Sequence, residues 1–216
     1  MNRRLDKRRR ALVGGFACSL LSAGAAAQPR PASATILVLG DSLSAEYGLA
    51  RGTGWVRLLE QRLEARRGTK YTVVNASISG ETTSGGVTRL PQLLAAHRPA
   101  IVIIELGAND GLRGLPIDVM RANLKAMAEA AREAGARVLI VGIRVPPNYG
   151  REYAERFHAS FAEVSRQTRA ALAPFLLDGI AEDLTMFQAD RIHPNAKAQP
   201  RMLENVWPHL SPLLAR

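Results

Sequence analysis

This 216-residue chain has a single cysteine, few aromatic side chains and no uncharged run long enough to be an ordinary membrane span. One cysteine, Cys18, excludes an internal disulfide and any zinc or iron–sulfur site built on cysteines. Phe, Trp and Tyr make up only 5% of the residues, too few for a base-stacking platform. Neither G-x-G-x-x-G nor a P-loop occurs, so no glycine-rich phosphate cradle is encoded. There is no internal repeat, no low-complexity tract and no linker after residue 34.

What the chain has in excess is positive charge, 29 Lys and Arg against 19 Asp and Glu, formally +10. Such an excess suggests nucleic acid or a membrane surface, but its position argues otherwise. Residues 1–10 hold six basic side chains and one acid, and an uncharged run from Ala11 to Ala27 follows, ending in Ala25-Ala26-Ala27. A basic head, an apolar centre and a small-residue exit form an export signal cleaved after Ala27. An uncleaved anchor is the alternative. Gly15-Phe16-Ala17-Cys18 lacks the Leu of a lipoprotein signal, and Arg8-Arg9-Arg10 suits either a twin-arginine or a general export route. Cleavage removes half of the +10 and the only Cys. The expected mature chain is thiol-free and mildly basic, with charges scattered, which fits a periplasmic or secreted protein with no nucleic-acid partner and no stable membrane insertion. The expected layout is a signal at 1–27, a short lead at 28–34 and one domain at 35–216.

Beyond the signal, short apolar runs alternate with helical stripes. Thr35–Leu39, Tyr71–Asn75, Ala100–Leu106 and Arg137–Ile143 read as strands, and Pro174–Leu177 as a short fifth. Helices are expected at 54–66, at 86–97 with Pro91 near its start, at 116–134 with Val119, Leu124 and Met127 inward, and at 151–171 with Phe157, Phe161 and Val164 inward. A last helix is expected from Pro200, bent or split at Pro208. Strands apolar on both faces and alternating with helices predict one α/β domain, a three-layer α/β/α sandwich around a parallel, flavodoxin-like sheet.

Ligands of such sheets bind at the carboxyl ends of the strands. The segments there are Gly40-Asp41-Ser42-Leu43-Ser44, Ala76–Glu81, Gly107-Ala108-Asn109-Asp110-Gly111 and Val145–Gly150. Taken singly, each reads as an ordinary turn, with Ser42 a helix cap and Asn109 a turn former. Near the C-terminus, Asp190-Arg191-Ile192-His193-Pro194 places a carboxylate and an imidazole three residues apart. An Asp that accepts from one ring nitrogen leaves the other free to take a proton, and a Ser hydroxyl needs such a base to become a nucleophile. His97, His158 and His209 have no comparable acid beside them and read as surface or packing residues.

Together and in order, these blocks resemble the SGNH (GDSL) hydrolases, most closely the bacterial periplasmic thioesterase I, lysophospholipase and arylesterase group. Asn75–Gly80, Asn109–Gly114 and Pro147–Gly150 support the resemblance, which runs from about Thr35 to Leu214. It implies a five-stranded parallel sheet, Ser42 as nucleophile, His193 as base and then acid, and Asp190 as the orienting carboxylate. It implies an oxyanion hole from the backbone N–H of Ser42, the backbone N–H of Gly80 and the side-chain amide of Asn109. It further implies an acyl channel near Leu112, Arg113, Ile143 and Val145, although Ile143 and Val145 read equally well as core at a strand end. No metal or organic cofactor is implied. The implied substrates are small acyl esters or thioesters, lipids among them. The chain departs from the group at Ala108, Arg191 and Glu46, where glycine is usual. Arg191 either faces solvent or sets a charge beside the triad, and Glu46 is expected to add an acid close to the mouth. A sugar O-acetyl esterase of the same fold, and a non-catalytic flavodoxin-like binding module, are the alternative readings.

Overall fold

Residues 34–66 and 71–214 are described by a computed structural model of the chain. The expected signal and residues 28–33 of the expected lead lie outside the described residues. Ala34 already belongs to the first strand. In chain order the main elements are β1 (Ala34–Gly40), α1 (Trp55–Ala65), β2 (Tyr71–Asn75), α2 (Thr83–His97), β3 (Ile101–Glu105), α3 (Ala108–Leu112), α4 (Ile117–Glu133), β4 (Arg137–Val141), α5 (Arg151–Thr168), β5 (Ala171–Ala173) and α6 (Gln199–Leu210).

The strands form one parallel sheet in the order β2-β1-β3-β4-β5, the flavodoxin-like order expected. β1 and β3 are buried on both faces because helices cover both. α1 packs with α6, and α4 lies between α2 and α5. The large buried side chains Trp55, Phe157 and Phe161 fill the space between helices and sheet. Strand order reverses between β1 and β3, so the crevice of the sheet opens between the loops that follow these two strands.

Several boundaries differ from the sequence reading. The fifth strand is Ala171–Ala173, not Pro174–Leu177. Pro174 has no N–H to give to a ladder. The apolar run after it is buried beyond the strand, where the Leu176 N–H donates to the Gly142 carbonyl at 2.9 Å. Helix α2 begins three residues earlier than expected, so Pro91 sits in its interior. Gly85 and Gly86 hid that first turn, and Gly86 is there for close packing, since a Cβ would meet Leu106 at 2.5 Å. Val119 is exposed, while Leu124 and Met127 are buried as expected. Helix α5 stops at Thr168, followed by Arg169 with a φ of 56°. Helix α6 begins one residue before Pro200 and continues through Pro208 to Leu210, so it is not split there.

Candidate active site

Ser42 sits in the turn that leaves β1. Asp41 builds that turn. Its carbonyl accepts from the N–H groups of Ser44 (3.2 Å) and Ala45 (2.9 Å), and its Oδ1 accepts from the Leu43 N–H at 3.0 Å. The preceding Gly40 has no alternative, because a Cβ there would lie 2.8 Å from the Glu105 carboxylate and 2.9 Å from Ser44. Ser42 therefore emerges from a turn held by its two neighbours, with its own side chain half-buried.

His193 reaches Ser42 across 151 positions of sequence. Its Nε2 lies 2.9 Å from Ser42 Oγ, and its Nδ1 lies 2.7 Å from Asp190 Oδ2. The loop carrying both residues is pinned by the Gln188 N–H donating to the His193 carbonyl at 2.8 Å and by the Asn195 N–H donating to the Met186 carbonyl at 2.8 Å. Tyr47 closes one side of the imidazole, with ring centroids 4.4 Å apart. Burial pushes the Asp190 carboxyl upward. The backbone N–H groups of His193 and Ile192, with the His193 ring, outweigh that and hold it down at about 2. Asp190 is thus ionised throughout the neutral range, and the Nδ1–H tautomer is the one its carboxylate favours.

Asn109 follows β3 in the short helix α3. Its Nδ2 donates to Asp41 Oδ2 at 3.1 Å and to the Glu81 carbonyl at 3.0 Å. The neighbouring Asp110 is buried and ties α3 to α2 through the Thr83 N–H (2.9 Å) and the Thr83 hydroxyl (2.6 Å). Gly80, in the loop after β2, has a φ of 81°, a conformation glycine adopts without cost. Among the described residues, no protein acceptor faces the N–H of Ser42 or of Gly80.

A cleft of about 1020 Å³ opens from this point. Ser42, Asn109 and His193 line one end, and Leu112, Ile143 and Val145 line its wall. Ile143 and Val145 thus serve both the core and the cleft. Phe175, Leu177, Ile180 and Phe187 extend the apolar lining; the sequence reading missed Phe175 and Leu177 because it took Pro174–Leu177 for a strand. Arg113 is placed differently. It is exposed, does not line the cleft, and donates to the Gly80 carbonyl at 2.9 Å.

Of the three positions where glycine was expected, two have left-handed backbone, Glu46 at a φ of 58° and Arg191 at 57°. Glu46 does not line the cleft. Its carboxylate turns to its own loop and accepts from the N–H groups of Gly52 (3.0 and 3.1 Å) and Gly54 (2.7 Å). Arg191 is exposed and contributes to the cleft lining beside His193.

Two buried acids behind Ser42 complete the site. Glu105, the one polar residue of β3, accepts the Ser44 hydroxyl at 2.6 Å, and the Asp41 N–H approaches the same oxygen at 3.4 Å. Burial pushes the Asp41 carboxyl up to about 6, and burial followed by the charge of Asp41 pushes Glu105 well above the ordinary range. An acid inside an otherwise apolar strand was the sequence signal for Glu105. Tyr47 left no such signal.

Among the described residues the site brings together a hydroxyl, an imidazole oriented by a carboxylate, and backbone N–H groups without a protein acceptor, beside a cleft with apolar lining. Residues 38–200 match the model of the GDSL-like Lipase/Acylhydrolase family. The chain is 53% identical over 203 residues to Esterase TesA of Pseudomonas aeruginosa, covering 94% of this chain and 98% of that protein. It is 39% identical over 183 residues to Thioesterase 1/protease 1/lysophospholipase L1 of Escherichia coli strain K12, covering 85% and 86% of the two chains. The crystal structure of TesA superposes with a TM-score of 0.81 at 54% identity, covering 83% of this chain and 99% of that one. On these matches the chain belongs to the GDSL-like lipase/acylhydrolase family.

Proposed function

We propose that the chain hydrolyses carboxylic esters and thioesters through an acyl-enzyme on Ser42, with acyl-CoA-like thioesters, lysophospholipids and aryl esters as its substrate classes. Membership of the family makes it an ester hydrolase; the residue roles and the substrate range are the proposal. One observation carries it, the relay from Asp190 through His193 to Ser42 with hydrogen-bonding distances of 2.7 and 2.9 Å.

In this reading His193 Nε2 takes the Ser42 proton as Oγ bonds to the acyl carbon. The C–O or C–S bond then breaks, and the same proton passes to the leaving alcohol or thiol. Water enters, His193 takes its proton as its oxygen bonds to the acyl carbon, and the acyl bond to Ser42 Oγ breaks with that proton passing back to Oγ, releasing the free acid. The Ser42 and Gly80 N–H groups and the Asn109 amide stabilise the oxyanion, each such donor being worth about 10²–10³ in turnover. The Asn109 amide hydrogens are engaged by Asp41 and Glu81 in the free enzyme, so the substrate oxygen shares or replaces the Glu81 bond. No step requires a metal or organic cofactor.

The apolar cleft favours a fatty-acyl group over acetyl, because its roughly 1020 Å³ far exceeds what an acetyl group fills. Among the described residues, no helix is long and apolar enough to cross a membrane. We assign residues 1–27 to an export signal and the mature enzyme to the periplasm or exterior. The test is Ser42→Ala with p-nitrophenyl butyrate. Release of nitrophenol should vanish while the circular dichroism spectrum stays unchanged, and retained turnover defeats the assignment. A series of acyl lengths on ester and thioester leaving groups tests the substrate range. An acetyl-only profile counts against it.

A further inference from the structure

The Asp41 carboxylate is fully buried one residue before the nucleophile, yet it belongs to neither the Asp190–His193–Ser42 relay nor the set of oxyanion donors. Its contacts are specific. Oδ1 accepts from the Leu43 N–H at 3.0 Å, and Oδ2 accepts from Asn109 Nδ2 at 3.1 Å. From the other side, Glu105 binds the Ser44 hydroxyl at 2.6 Å and faces the Asp41 N–H at 3.4 Å. The carboxylate thus bridges the nucleophile's turn and the amide on the neighbouring strand's loop.

An asparagine amide is nearly symmetric in shape and opposite in chemistry at its two ends. Rotation by half a turn replaces a donor with an acceptor. At an oxyanion hole that exchange turns an attraction into a repulsion. A carboxylate only accepts, so it selects the nitrogen end of Asn109 and rejects the oxygen end. A buried, charge-assisted bond holds this choice more firmly than the neutral bond to the Glu81 carbonyl does alone.

We infer that Asp41 is a positioning residue for the oxyanion hole, its buried carboxylate fixing the side-chain amide of Asn109 with the nitrogen facing the reacting centre. The inference rests on the acyl-transfer reading above. Asp41→Asn is the informative variant because it keeps shape and reverses the selectivity: with its oxygen held by the Leu43 N–H, its NH₂ faces Asn109 and favours the oxygen end.

The experiment is a double-mutant cycle on p-nitrophenyl butyrate hydrolysis, with Asp41→Asn, Asn109→Ala and the pair. Asp41→Asn should lower kcat by about tenfold or more with KM within about twofold, since the oxyanion exists only beyond the ground state. In the Asn109→Ala background the same change should alter kcat by less than about twofold. A full additional loss there, or an Asp41→Asn enzyme with wild-type kcat, overturns the inference. Loss in Asn109→Ala and in Ser42→Ala alongside either result leaves the acyl-transfer reading standing, so the two fail separately. If Asp41→Asn does not fold, hydrogen exchange of side-chain amides in the wild-type protein decides. The Asn109 amide should be protected relative to the exposed Asn148 amide, and equally fast exchange overturns the inference.

Discussion

Asp190 holds His193 twice. Its Oδ1 accepts the His193 backbone N–H at 3.0 Å while its Oδ2 lies 2.7 Å from Nδ1 of the same residue's ring. One carboxylate therefore fixes both where the residue sits and which way the imidazole faces. The Ile192 N–H donates to Oδ1 as well, at 2.9 Å, so the turn itself is folded around the acid.

This double role predicts the cost of Asp190→Asn. An Asn side chain can still accept the backbone N–H through its oxygen. Its NH₂ then faces Nδ1 and favours the tautomer with the proton on Nε2, which cannot accept from Ser42. Turnover of p-nitrophenyl butyrate should fall by about 10²–10⁴, as it does when a triad carboxylate elsewhere is neutralised. The thermal midpoint should change little, because the side chain is more than a third exposed. Wild-type kcat in this variant would remove Asp190 from the relay.

Arg191 gives a prediction that separates backbone from charge. Its φ of 57° is costly for a residue with a Cβ, by about 1–2 kcal/mol, against about 0.5–1 kcal/mol of extra chain entropy for glycine. Arg191→Gly should raise the melting temperature by about 1–3 °C. Arg191→Ala keeps the strain and should not. Both variants remove the positive charge at the cleft, so both should raise KM for an anionic acyl-CoA thioester relative to a neutral aryl ester. If KM is unchanged in both, Arg191 serves only the turn.

The parallel sheet and the relay were legible in the sequence for a common reason. Buried strands need apolar runs, and Ser42 lies at the end of one, while Asp190 and His193 lie three positions apart in one turn. Features set by tertiary placement were not legible. Pro174–Leu177 looks like a strand because it is apolar, but Leu176 and Leu177 are buried by packing, and Phe175 and Leu177 line the cleft, beyond a three-residue edge strand. Glu46 looks like an acid at the mouth, and only its hydrogen bonds to the Gly52 and Gly54 N–H groups show that it closes its own loop. The aromatic contact between Tyr47 and His193 spans most of the chain and has no local signature.

Arg113 offers a test of one expectation that the structure redirects. As an acyl-channel residue it would affect KM for long acyl chains. In the structure it tethers the Gly80 carbonyl. Loosening that loop would blur the position of the Gly80 N–H, which in the proposed mechanism acts on the oxyanion alone. Arg113→Ala should therefore lower kcat by about three- to tenfold at unchanged KM for butyrate and for longer acyl esters. A length-dependent rise in KM would restore the acyl-channel role.

The last prediction concerns stability, where burying Asp41 has a price. Burial lifts its carboxyl from the ordinary 3.8 to about 6, against the opposing pull of the Leu43 N–H, the His193 charge and Asn109, and with the charge of Asp110 adding to the lift. The folded protein binds this proton more tightly than the unfolded chain does. The associated stability is fully present below pH 4 and is lost as pH rises through about 6. Asp190 acts in the opposite sense and lower, its contribution being lost only as pH falls from the ordinary carboxyl range toward about 2. Between pH 4 and 7 the Asp41 effect therefore stands apart from that of Asp190. Urea unfolding across that range should show wild-type stability falling with pH more steeply than that of Asp41→Asn, which has no proton to lose. Equal slopes would mean that the buried carboxylate is accommodated without cost, and that Asn109 and the Leu43 N–H compensate it in full.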